Sequence, residues 1–254
     1  MNAVTTTPPV GGAPAAPRHR RPPLRTAGLV ALVTLRELFR RRGAIALALL
    51  LPLTFYLAQI DTHWTALRLL SIGLGWAAAT LGLFTTVSSH SVDRRLAASG
   101  ASPTALVLGR LAAVTVLGWT IAALYAVLVH LTIGDDLARP GAVAPMLLTT
   151  VTVAAPLGSV VAAVLPRDLE GALLLLAVMA LQLLVDPAED WTRALPLWST
   201  RELSSYVVEN LRTGTGDHLR QGLTHGAGFI LGLTALTWLL GAWRLRVRRV
   251  PEPR

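Results

Sequence analysis

The sequence contains no cysteine and no lysine, so all 23 of its basic residues are arginine. Without cysteine, no disulfide, thiolate metal site or cysteine nucleophile can form. Charge is also scarce: charged residues make up 15% of the 254 residues, against roughly 25% in a typical soluble domain. With 53% hydrophobic residues and a mean hydropathy of +0.55, the composition is typical of a membrane protein.

Two kinds of catalytic site find little support in the sequence. The phosphate-binding loop G-x-x-x-x-G-K-[ST] is absent, so the chain has no ATPase site of that kind. No pair among the six histidines has the spacing of metal ligands. His90 lies beside Ser88, Ser89 and Ser91, which keeps an intramembrane hydrolase as an alternative.

Six long uncharged segments lie between charged residues. A bilayer core of about 30 Å needs about 20 helical residues. The segments predict an all-α membrane protein with six transmembrane helices, at about 43–60, 67–89, 107–131, 143–166, 169–186 and 222–243. The fifth is short, and its charged ends can reach the interface. A soluble helical core is the alternative, but it needs a polar face on each helix, which ALALLLPLTFYLA and GALLLLAVMALQLLV lack.

The arginines predict the orientation of these spans. An even number of spans places both termini on one side, and 17 arginines fall on that side. The other side holds the remaining six: Arg68, Arg139, Arg193, Arg201, Arg212 and Arg220. Because arginine-rich segments stay in the cytoplasm, both termini are predicted to be cytoplasmic, in a multi-pass protein of the cell membrane.

The N-terminal region has two parts. Residues 1–23 are rich in Pro, Ala, Gly and Thr and are predicted to be a disordered cytoplasmic tail. Residues 24–42 predict an amphipathic helix at the membrane surface, with Glu37 and Arg41 four residues apart on its polar side. Gly43 then permits a bend into the first span. The apolar face consists of Leu29, Leu32, Leu35 and Phe39. The alternative is a first span extended by one or two turns.

Residues 88–110 form the largest internal segment on the predicted cytoplasmic side. Ser91 and Asp93 are suited to cap a short helix that the turn SGASP would end, and Thr104 is suited to cap the start of the third span. Two interpretations stay open from spacing alone. The segment is either a surface for a soluble partner, or a plain hairpin that Arg94 and Arg95 hold inside.

Further features lie in the second half of the chain. Pro145 and Pro156 predict a kinked fourth span. Residues 228–232 form a G-x-x-x-G pattern compatible with close helix packing. A short re-entrant or interfacial helix is predicted over 199–212 on the outer side, as a gate or a passive cap.

Three stretches resemble the membrane-spanning subunit of ABC-2 type transporters. They are RELFRRRGAIALALLLPLTFYLA, DRRLAASGASPTALVLGRLAAV and ALPLWSTRELSSYVVENLR. In the second, Ser102-Pro103 and Gly109-Arg110 fit the family pattern, whereas Asp93-Arg94-Arg95 stands where the family commonly has an acidic Gly-Thr-Leu-Glu type sequence. The resemblance covers residues 24–250.

The resemblance implies a domain over 24–250 with an elbow helix at 24–42 and an extracellular segment at 187–221. It implies a separate ABC ATPase subunit that binds ATP, a second permease copy or sister permease, and contact with membrane lipids. The chain itself is expected to bind no cofactor and no nucleic acid, and to have no enzyme activity. The residues that would receive force from the ATPase are Asp93, Arg94, Arg95 and Leu96 in the loop, and Leu35, Glu37, Phe39 and Arg41 in the elbow helix.

The second and fifth spans commonly line the substrate path in this family. The candidate path residues are Thr85, Thr86, Met179 and Gln182. The alternative is that these side chains make ordinary hydrogen bonds between helices. The expected function is export of a drug, lipid or peptide by alternating access. The alternatives are a membrane protein that transports nothing, such as an immunity or assembly factor, and the hydrolase.

Overall fold

A computed structural model describes residues 23–165, 167–185, 189–209 and 215–245. All regular structure in these ranges is helical. The predicted tail lies outside the described residues, apart from Pro23, which begins the first helix. The α-helices are α1 (Pro23–Arg40), α2 (Arg42–Leu57), α3 (His63–Ala98), α4 (Pro103–Ile133), α5 (Val143–Val164), α6 (Asp168–Leu184), α7 (Trp198–Val208) and α8 (Thr215–Arg244).

Four of the described helices are long and apolar enough to cross a membrane: His63–Ala98, Pro103–Asp136, Pro140–Val164 and Gly216–Arg244. They contain the predicted second, third, fourth and sixth spans. In the most apolar window of each helix, α3 has 72% of its residues buried and α8 has 11%. The former is therefore central to the bundle, and the latter lies at its edge.

The central contact joins α3 and α5 at glycines. A β-carbon on Gly82 would overlap the carbonyl oxygen of Ala155, and one on Gly158 would overlap the carbonyl oxygen of Ala79. Small residues allow this approach of two backbones, which supplies dispersion contacts along both helices. The two α3 residues are three positions apart and so are the two on α5, which makes the contact reciprocal.

Two tyrosines connect α2 to α4. The Tyr125 hydroxyl donates to the carbonyl of Leu49, and the Tyr56 hydroxyl shares a hydrogen bond with that of Thr132. Both partners advance by seven residues, two helical turns, so the helices run parallel. Gly109, earlier in α4, lies against Ala27 and Val30 of α1. Consequently α1 and α2 follow one another along α4.

The side of α1 that packs on α4 differs from the predicted apolar face. Thr34 and Leu38 are buried, whereas Leu29, Leu32 and Phe39 are exposed and Leu35 is half-buried. Glu37 and Arg41 form the predicted pair, with Arg41 Nη2 2.5 Å from Glu37 Oε1. The predicted bend at Gly43 is wrong by two residues: the break falls at Arg41 (φ −84°, ψ 69°), and α2 already begins at Arg42.

Two predicted helix caps in the segment between α3 and α4 are wrong. No separate short helix begins at Ser91 or Asp93, because α3 continues unbroken to Ala98. The predicted turn does end it: Gly100 has φ +99°, a conformation that glycine adopts readily. Pro103 begins α4 with Ser102 as the N-cap residue, so Thr104 is not the cap. The Thr104 hydroxyl instead accepts a hydrogen bond from Trp238 Nε1 of α8 (3.1 Å).

The predicted outer helix exists as α7, and one side of it is buried in the bundle. Ser199, Thr200, Leu203 and Ser204 are all buried, and the helix packs against α8, α3 and α5. Residues 187–188 and 210–214 of the predicted extracellular segment lie outside the described residues. The G-x-x-x-G pattern faces open space, since nothing lies within 4 Å of a β-carbon placed on Gly228 or Gly232.

Candidate functional site

A cavity of about 180 Å³ lies between α3, α4, α5 and α8. It is near the C-terminal ends of α3 and α8 and the N-terminal part of α4, where the arginines of those helices gather. Most of its wall is apolar, and the polar groups belong to a few residues. Those polar residues are Thr85, Thr86, His90, Asp93, Arg110, Ser159, Thr237 and Arg244.

An ion pair closes one side of the cavity. Arg110 Nε donates to Asp93 Oδ2 at 2.8 Å, and Arg110 Nη2 donates to Asp93 Oδ1. Their side chains are 13% and 9% exposed. Such a two-point arrangement fixes both planar groups and leaves the pair with little net charge. The pair also joins α3 to α4 on the cavity side of their connecting turn.

Thr85 carries an unusual buried hydroxyl. The residue is 7% exposed, and its Oγ1 has no hydrogen-bond partner in the described structure. The neighbouring hydroxyls differ: Ser159 donates to the carbonyl of Ala155, and Thr237 donates to the carbonyls of Pro156 and Leu233. Because buried polar groups are normally paired, the free hydroxyl marks a place where a ligand can bond.

Positive charge dominates the open side of the cavity. Arg244 ends α8, and among the described residues no hydrogen bond or ion pair involves its guanidinium. Arg94 and Arg244 both act electrostatically on His90, which lines the same cavity. Asp93 acts on His90 in the opposite sense to Arg94 and Arg244, but Arg110 pairs with that carboxylate, so Arg244 is the lining charge without a partner among the described residues.

The structure divides the predicted coupling residues into two groups. Asp93 is buried and faces Arg110, whereas Arg94, Arg95 and Leu96 are exposed on the last turns of α3. Val92 adds to this exposed surface. We name Val92, Arg94, Arg95 and Leu96 the α3 tip. Side chains of the tip are accessible from outside the bundle, while Asp93 acts within it.

The candidate path residues also separate. Thr85 and Thr86 line the cavity, whereas Met179 and Gln182 lie on α6 near the opposite end of α3. Gln182 Oε1 accepts from the backbone N–H of Leu197 (2.9 Å), and Gln182 Nε2 donates to the carbonyl of Val178 (3.3 Å). The Gln182 side chain therefore holds α6 to the segment before α7, and Met179 is buried beside it.

Sequence reasoning missed two polar contacts of α7. Glu202 of α7 is buried, and its Oε2 lies 2.7 Å from His218 Nδ1 of α8. The Nη1 of Arg139 donates to the carbonyls of Tyr206 and Glu209 (2.7 and 3.0 Å). No spacing rule links these residues, because they meet only when α7 folds back onto α8.

Two arrangements bear on the hydrolase alternative in the described residues: a metal site and a serine paired with His90. No group of three histidine, aspartate or glutamate side chains there is placed to hold a metal ion. Ser88 and Ser89, beside His90, donate their hydroxyls to the carbonyls of Thr85 and Thr86 in their own helix. Neither of these two serine hydroxyls donates to His90.

Comparison with known proteins adds no relative: no family model matches the sequence, and no curated protein matches it.

Proposed function

We propose that the chain is the permease subunit of an ABC transporter of the ABC-2 type. It crosses the cell membrane six times, with both termini in the cytoplasm, and moves its substrate outward by alternating access. ATP is bound and hydrolysed by a separate ATPase subunit, and a second permease unit completes the transporter. The observation that carries the proposal is the cavity between four helices of the bundle, located at its arginine-rich end.

Packing directions support two further crossings besides the four long helices. Gly171, near the start of α6, lies against Leu83 of α3, whereas Gln182 near its end accepts a hydrogen bond from Arg68 of α3 (2.8 Å). α6 therefore runs antiparallel to α3 within the bundle. Its 17 residues extend about 26 Å, and the 16 residues of α2 extend about 24 Å. Both lengths suit a slightly thinned bilayer core.

The exposed side of α1 supports its assignment as the elbow helix. Leu29, Leu32 and Phe39 face away from the protein, and exposed apolar side chains on a helix with a charged border suit the membrane interface. Its other side packs on α4, where Gly109 lies against Ala27 and Val30. A force on α1 is therefore transmitted to α4, which lines the cavity.

The α3 tip is the contact for the ATPase in this proposal. It combines two unburied guanidinium groups with two exposed aliphatic side chains, a composition that suits a protein partner. It also lies on the same helix as Thr85 and Asp93. Displacement of the tip by a partner therefore moves two groups of the cavity wall.

The proposal is tested by isolating the tagged full chain from its native membranes in mild detergent. We expect mass spectrometry to identify an ATPase subunit with a G-x-x-x-x-G-K-[ST] motif at near-equal stoichiometry, together with ATP hydrolysis by the purified complex. The double variant Arg94→Glu, Arg95→Glu should lose most of that subunit.

The matched control is Arg220→Glu, an exposed arginine at the other end of the bundle, which should retain the ATPase. Export by the chain alone in vesicles without any ATPase would refute the proposal. An unchanged yield of ATPase with the double variant would refute the role of the α3 tip.

A further inference from the structure

The cavity between α3, α4, α5 and α8 has two chemically different parts. Arg244, His90 and the Thr85 hydroxyl form a polar part, and aliphatic side chains form the rest. We propose that this cavity binds an amphiphilic anion, with an acidic phosphate or carboxylate headgroup on an alkyl chain. That this ligand is the transported molecule rests on the proposed permease function, whereas its binding does not.

The charge of the polar part favours an anion. Asp93 and Arg110 satisfy each other, which leaves the Arg244 guanidinium as the unmatched charge among the described lining residues. Arg94 reinforces the positive potential around His90. A guanidinium in a partly enclosed, low-dielectric setting attracts an oxyanion more strongly than it does in water.

The unpaired hydroxyl specifies a ligand with hydrogen-bonding oxygens. Thr85 belongs to the cavity wall, and its Oγ1 is buried without a hydrogen-bond partner in the described residues. We expect an oxyanion bound to Arg244 also to accept the proton of this hydroxyl. A hydroxyl donor and a guanidinium donor on one small cavity together match the several acceptor oxygens of a phosphate or carboxylate.

The remaining wall explains why the ligand carries an alkyl chain. Val107, Leu111 and Val114 of α4 face Ala162 of α5 and Leu245 after α8 across the cavity. An inorganic anion would leave these aliphatic surfaces without a partner, whereas an alkyl chain covers them and is removed from water. The apolar wall therefore discriminates between an amphiphile and a free anion of equal charge.

The experiment measures binding of decyl phosphate to the purified full chain in a neutral maltoside detergent by isothermal titration calorimetry. We expect saturable binding to the wild type. Arg244→Gln should weaken it about tenfold or more, because a charge-assisted contact is lost. Thr85→Val should weaken it about fivefold. The control Arg220→Gln should bind like the wild type. Thermal unfolding of each variant establishes that it is folded.

Three probes identify the ligand class. Decanoate should compete with decyl phosphate, since both carry an oxyanion on an alkyl chain, whereas decyltrimethylammonium should not compete. Inorganic phosphate should compete only at much higher concentration. Equal competition by inorganic phosphate, or by decyltrimethylammonium, would overturn the proposal. The proposal would also be overturned by an absence of saturable binding, or by equal losses in Arg244→Gln and Arg220→Gln.

Failure of this inference is distinguishable from failure of the proposed function. Binding of decyl phosphate is measured on the isolated chain, with no ATPase present. Saturable binding by the isolated chain, combined with failure of the tagged chain to retain any ATPase when it is isolated from native membranes, would uphold the site and refute the transporter. An ATPase complex that hydrolyses ATP but does not bind decyl phosphate would uphold the transporter and refute the site.

Discussion

Arg110 holds Asp93 at two points, with its Nε and one terminal nitrogen each donating to a different carboxylate oxygen. The pair connects two helices that are joined by a tight turn of residues 99–102. It therefore has a double effect: it fixes the ends of α3 and α4 relative to each other, and it pairs the carboxylate of the cavity wall with a guanidinium.

Breaking this pair should destabilise the protein more than removing it. We expect Arg110→Gln to lower the free energy of unfolding by about 3–5 kcal/mol, because it leaves a mostly buried carboxylate unpaired. The double variant Asp93→Asn, Arg110→Gln should recover most of this loss. Thermal unfolding in one detergent measures both. A double variant at least as unstable as Arg110→Gln would contradict the stated cause.

Gly158 should not tolerate even a methyl group. In Gly158→Ala, the β-carbon would overlap the backbone of Ala79, so α3 and α5 would have to separate. We expect a loss of about 1–3 kcal/mol, the usual cost of overpacking. The matched control is Gly228→Ala, which has open space and should be neutral or slightly stabilising. Equal melting temperatures of the two variants would argue against the close contact.

Gln182 should control the order of the segment before α7. Gln182→Leu removes the acceptor for the Leu197 N–H, and an unsatisfied buried amide costs about 1–3 kcal/mol. Hydrogen exchange over residues 191–200 should therefore accelerate in this variant. Gln182→Glu keeps an acceptor oxygen and should show less acceleration. Gln59→Leu, at an exposed position after α2, serves as the control and should leave exchange in this segment unchanged.

The lack of native cysteine allows a direct test of the six crossings, because each introduced thiol is unique. Asp61→Cys and Glu189→Cys should react with an impermeant maleimide in intact cells. Arg36→Cys and Glu170→Cys should react only after the membrane is opened. These exposed positions lie at or near the ends of α2 and α6, the two proposed crossings that are not among the four long helices. Labelling of both flanks of either helix from one side would exclude that crossing.

Hydropathy predicted the long helices because a helix that is buried in protein or in lipid needs a long, uninterrupted apolar sequence. It failed where polar residues continue a helix. Residues 90–98 carry three charges and two polar side chains, yet α3 extends through them, because backbone hydrogen bonding continues outside an apolar medium. Asp93 is suited to an N-cap by residue type, but its partner Arg110 lies 17 positions away and satisfies it better.

The cavity could be predicted only in part. Thr85 and Thr86 were identifiable as polar residues in an apolar span. Arg110 was identifiable as part of the Gly109-Arg110 pair and Arg244 only as an orienting charge. Neither could be assigned to the cavity, because that depends on how α4 and α8 pack against α3. Met179 and Gln182 were chosen on the same grounds as Thr85, as residues of a span predicted to line the path. Sequence alone does not show that they lie on α6, away from the cavity.

The glycine contact between α3 and α5 also fixes the point about which the two helices can tilt relative to each other. On one side of it lies Thr85 at the cavity, and on the other lies Gly75, packed against Leu197 and Thr150. Because the two backbones already touch at Gly82 and Gly158, tilting one helix to widen the gap at Thr85 narrows the gap at Gly75. The fixed contact at Gly82 and Gly158 therefore couples the two ends of the helix pair: if one end opens, the other closes.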